Sequence, residues 1–200
     1  MKKEFSFYEF AGIIVPSVTF LFCMQLLIEI ETGKQIINFA SLGESIAFLI
    51  VAYAFGHILQ GMGNAYEWIL WRKLYGGMPS NWITKATRFN SKLLDDDFKN
   101  KLLAKLYAKF GEVPKKDYGR DAYKAVEYAG KSQRADIFNG NYSLFRGLVI
   151  AFIGVTIATV NFFGWRYSIF PFLCVIICHI RMVRFAKYYA SDVYRTYFNL

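Results

Sequence analysis

Residues 45–66 read SIAFLIVAYAFGHILQGMGNAY, an uncharged run of 22 residues from Ser45 to Tyr66. That length is enough for a helix to cross a bilayer. His57, Gln60 and Asn64 nevertheless lie within it, with His57 near the middle. Polar side chains are expensive in hydrocarbon and usually face a helix bundle or a wet cavity. The stretch therefore reads as a transmembrane helix bearing an embedded polar face, and the chain as a membrane protein.

Three further runs flank it. Phe10 to Ile28 and Gly147 to Trp165 are each 19 residues without a charge. Tyr167 to Ile180 has only 14, but it reaches spanning length through Met182 and Val183 if Arg181 extends its charged end to the interface. The pattern predicts an all-α membrane protein with four transmembrane helices, arranged as two hairpins around a helical cytoplasmic insert. The expected divisions are 1–71 for the first hairpin, 72–146 for a basic insert, and 147–200 for the second hairpin with an amphipathic tail. Met1-Lys2-Lys3 resembles the start of a signal peptide. The apolar run is too long for one and is followed by Glu29-Ile30-Glu31 rather than small residues, so a retained helix is expected.

Charge sets the expected orientation. Of the 24 Lys and Arg residues, 22 fall in the N-terminus, residues 72–146 and the C-terminus. Only Lys34 and Arg166 lie in the two connections on the other side. The positive-inside rule then places both termini and the insert in the cytoplasm, with a bacterial inner membrane as the expected location. The insert carries 16 basic and 8 acidic residues, a net +8. Topology and attraction to anionic membrane lipids account for that charge. A cytosolic protein, nucleotide or nucleic acid partner is the alternative.

Within the insert, Phe98, Leu102, Leu106 and Phe110 recur at helical spacing, and Lys99, Lys101, Lys105 and Lys109 occupy other positions on the same helix. These lysines form a candidate ligand or partner surface. Asp95 to Asp97 favours the helix start and Gly111 its end. A second helix is expected over 121–138, ending at an Asn139-Gly140 turn. Gly76-Gly77 with Pro79 should stop the second span, and Pro16 should kink the first or free a carbonyl for a neighbour.

The candidate site is the face Tyr53, His57, Gln60 and Asn64, beside a small-residue stripe of Ala52, Gly56 and Gly63 that permits close helix approach. It reads either as a hydrogen-bonded seam or as a pore lining or proton path. Cys174, Cys178 and His179 do not make a metal site, because His179 is turned about 100° from Cys178 on a helix. No metal and no cofactor are expected. The insert contains neither His nor Cys, and no hydrolase, metalloprotease or phosphate-loop motif occurs, so an enzyme is not expected.

The stretch Tyr53 to Glu67, with Phe7-Tyr8-Glu9-Phe10 and Pro16 before it, resembles a group of small bacterial membrane proteins. The layout is also similar to that of multi-pass membrane components of anti-phage defence systems, including accessory proteins of some RNA-targeting CRISPR systems. The resemblance covers the first hairpin and brings no catalytic motif. It implies a membrane-disrupting effector or a membrane sensor paired with a cytosolic partner. Together these readings point to an oligomeric inner-membrane protein that alters permeability or senses a membrane event. A non-conducting anchor for a cytosolic enzyme is the alternative.

Overall fold

The computed structural model describes residues 10–37, 41–84, 93–111 and 118–200. The described residues form six α-helices and no strand. A π-helical lead, Phe10–Ile14, runs into α1, Val15–Thr32. Then come α2, Leu42–Ile69, α3, Asp96–Phe110, and α4, Tyr118–Tyr128. The chain ends with α5, Gln133–Phe163, and α6, Ile169–Phe198. α1, α2, α5 and α6 are the four helices long and apolar enough to cross a membrane, so the all-α class and the span count follow the expectation.

Two compact units divide the chain: Met1–Tyr66 with Gly140–Met182, and Glu67–Asn139 with Val183–Leu200. α2, α5 and α6 contribute residues to both. In the first unit the helices approach closely through small residues. A Cβ added to Gly56 would stand 2.5 Å from the Ile13 carbonyl oxygen, and one on Gly147 would stand 2.6 Å from Pro16 Cγ. Leu59, Ile150 and Ala151 are buried together, with Phe20 and Phe55 stacked beside them at 5.1 Å between ring centroids.

The second unit has its own core. Leu102 and Leu106 of α3 and Ala122 and Val126 of α4 are fully buried with Tyr194 and Tyr197 from the end of α6. The expected apolar face of α3 is therefore real, and part of what covers it is the C-terminal tail. α3 begins after Asp95 and is closed by Gly111, at φ 70°. α2 continues as a π-helical turn, Leu70–Leu74, and ends at Gly76 and Gly77, which take φ 69° and 135°.

The structure departs from expectation at the third span. The helix expected over 121–138 is broken at Gly130, which adopts φ 69° where α4 closes. Asn139-Gly140 makes no turn and lies inside the 31-residue α5. Asn-Gly is only a weak local preference, and packing along a long helix overrides it. The tail expected to belong with the second hairpin joins the core of the second unit instead. An insert of this size lacks enough surface to bury on its own.

Candidate functional site

The sequence-predicted face is split by the structure. Gln60 is buried at 9% exposure, together with Ala52, Gly56 and Gly63. Tyr53, His57 and Asn64 are exposed. Residues advance about 100° around a helix, so Gln60 lies on the border between the two arcs. The small-residue stripe sets which arc faces the other helices, because only there can backbones come close. Tyr53 and His57 stay together outside, their rings edge-on with centroids 4.9 Å apart.

Gln60 uses both ends of its amide. Its Nε2 donates to the carbonyl of Gly12. Gly12 belongs to the π-helical lead, where the regular α-helical pairing is interrupted just before Pro16. α2 thus supplies this carbonyl with a donor from a neighbouring helix. At the other end, Gln60 Oε1 accepts from Arg146 Nη2, with Ser143 Oγ 3.5 Å away. Arg146 is 8% exposed, with its guanidinium carbon 5.7 Å from the Tyr142 ring centre. Gly63 leaves room for it: an added Cβ would meet Arg146 Cγ and Nε at 3.3 Å. Ser17 Oγ secures the same stretch, donating to the Ile13 and Ile14 carbonyls, each at 2.9 Å.

Three helical segments therefore meet in a polar knot of Gly12, Gln60, Ser143 and Arg146. Gln60 lies about 27 Å along α2 from Leu42, and Arg146 about 26 Å along α5 from Phe163, at about 1.5 Å per residue. Sequence reasoning missed Arg146 and Ser143 because Arg146 was counted with the charges of the insert. The available signal was continuity: Ser143 to Gly147 runs into the apolar stretch with no proline between.

A second polar contact in this unit joins Tyr66 Oη and His179 Nδ1 at 2.7 Å. Among the described residues no group of three or more His, Cys, Asp or Glu is placed to hold a metal.

The four lysines of α3 do not form one surface. Lys105 Nζ donates to the Phe198 carbonyl at 2.9 Å and reaches that of Tyr197 at 3.4 Å. A cation there complements the negative end of α6. Lys109 Nζ lies 5.5 Å from the Tyr197 ring centre. Lys101 pairs with Asp97 at 2.7 Å on the exposed side, and Lys99 is half-buried. In the same unit Tyr123 Oη donates to Asp136 at 2.8 Å; burial and then this bond hold the hydroxyl above the usual phenol range. Glu9 and the Phe7-Tyr8-Glu9 part of the resemblance lie outside the described residues.

Comparison with known proteins adds no relative: no family model matches the chain, and neither a curated protein nor a solved structure does.

Proposed function

We propose that this is an oligomeric protein of a bacterial inner membrane that alters membrane permeability or senses a membrane event. The resemblance of the general layout to defence-system membrane proteins suggests anti-phage defence as the setting. One observation carries the oligomeric reading: His57 and Asn64 are exposed on the outer arc of a membrane-length helix. In hydrocarbon such groups need partners. On the same arc Ile50, Ala54, His57, Gly61 and Asn64 are all exposed and alternate four and three residues apart. That is the repeat of a left-handed helix pair, and Gly61 and Ala54 allow close approach. A second copy supplies the same polar groups across the seam.

In this reading both termini and the basic segment lie in the cytoplasm, where the segment receives a protein or nucleotide ligand. Lys99, Lys101 and Lys109 are the lysines of α3 that make no hydrogen bond to the α6 terminus.

The alternative is a non-conducting anchor that scaffolds a cytosolic partner. It is favoured by the separate, well-filled core of the second unit. Copy number in nanodiscs and ion flux from liposomes separate the two. The wild type should be multimeric and conducting, and His57→Leu with Asn64→Leu should be monomeric and silent. A monomeric wild type would remove the seam. Multimers without flux, with or without a trigger, would leave the anchor.

A further inference from the structure

Away from the polar knot, residues of α1, α5 and the start of α6 line a groove of about 550 Å³ in the first unit. Packing explains why it lies there. Phe20 of α1 rests against Gly154 of α5, where an added Cβ would stand 2.7 Å from the ring. No glycine follows on α5 between Val155 and Phe163, which denies the helices the same close approach. Val155 and Thr159 lie at the floor, at 6% and 4% exposure. Ile30 and Phe170 stand at the rim, at 70% and 74%, so the groove is open from the side.

The lining makes a simple chemical demand. Among the described residues it has no charged side chain. Thr159 Oγ1 already donates to the Val155 carbonyl at 2.8 Å. Cys23 adds a thiol, which packs as a small apolar group. The groove therefore suits hydrocarbon, and an empty apolar groove forfeits van der Waals contacts.

Its dimensions select the occupant. From Phe152 to Phe163 α5 advances about 16 Å, close to the roughly 15 Å that is half of a hydrocarbon core. The volume spread over that length gives a mean section of about 35 Å², less than half the roughly 80 Å² of a helix 10 Å across. A helix of a second copy is too wide, whereas a single hydrocarbon chain is not. Tyr167 closes one end, in an exposed turn with Trp165 between α5 and α6. Tyr and Trp suit the level of lipid headgroups.

We propose that this groove binds one acyl chain of a membrane phospholipid, lying along α5 from Phe163 toward Phe152 with its headgroup at the α5–α6 turn. The site reads the length of the chain and is indifferent to the headgroup, because no charge lines it. No residue of α2 takes part, so the inference is independent of the subunit seam.

The test uses the full chain, delipidated in detergent and examined by native mass spectrometry. Dioleoylphosphatidylcholine is added in competition with dioctanoylphosphatidylcholine, whose tails are too short to run the length of the groove. One dioleoyl lipid per chain should be retained and the short lipid lost. Dioleoylphosphatidylethanolamine should be retained equally well. Val155→Trp fills the groove from α5 and Leu27→Trp fills it from α1, and each should abolish retention; the second variant decides the matter if the first does not fold. Retention of no lipid, indifference to chain length, a preference between the two headgroups, or retention unchanged in the folded variants would overturn the proposal. Displacement by an equimolar isoprenoid quinone would assign the groove to that class and overturn it as well.

Discussion

Gln60 illustrates how one side chain can complete what another leaves open. The Gln60 amide donates to the Gly12 carbonyl in the π-helical lead while accepting from Arg146. Leucine is welcome in lipid, but Gln60→Leu strands a carbonyl and removes a partner of a buried cation. The expected loss is about 3 kcal/mol of stability, measured by unfolding in bicelles. A Gln60→Leu variant as stable as the wild type would show that these bonds add nothing.

At the scale of elements, the end of α6 holds the second unit together. Tyr194 is fully buried and its hydroxyl donates to the Ser80 carbonyl. Tyr194→Ala should cost about 3–5 kcal/mol, like other large aromatic truncations in cores, and should open α3 and α4 to limited proteolysis. Lysines on one helix should then differ sharply. Lys105→Glu sets a carboxylate beside the last carbonyls of α6 and should destabilise by about 1–2 kcal/mol. Lys101→Glu breaks only an exposed pair with Asp97 and should cost less than about 1 kcal/mol. Equal effects in denaturant titrations would show that the Lys105 bonds add nothing.

For the whole molecule, the distribution of charge predicts orientation. In a chain with Cys23, Cys174 and Cys178 replaced by Ala, Ser132→Cys should resist a membrane-impermeant thiol reagent in intact cells and react after lysis. Labelling of intact cells would reverse the topology. The exposed positive charge of α3 should also attract anionic vesicles. Replacing Lys99, Lys101 and Lys109 with Glu should weaken that binding, and added salt should weaken it in the wild type. Salt-independent binding, unchanged in the triple variant, would exclude an electrostatic role. Lys105 is left out because its reversal would also disturb the core.

The sequence by itself determined the class and the span count, because long uncharged runs leave the backbone few alternatives to helix in a bilayer. It also marked the ends of α3, through the acidic start at Asp95 to Asp97 and the positive φ of Gly111, since both act locally. What it could not settle was which arc of α2 faces inward. His57, Gln60 and Asn64 lie on one side of a helical wheel, and only the approach of Ile13 to Gly56 and of Arg146 to Gly63 drew the border between them. The break at Gly130 is a local glycine stop like that at Gly111, whereas the helix running through Asn139-Gly140 and the return of α6 to the second core were decided by tertiary structure. Each depends on burying surface contributed by segments far apart in the chain, and the local preferences of those segments are too weak to specify it.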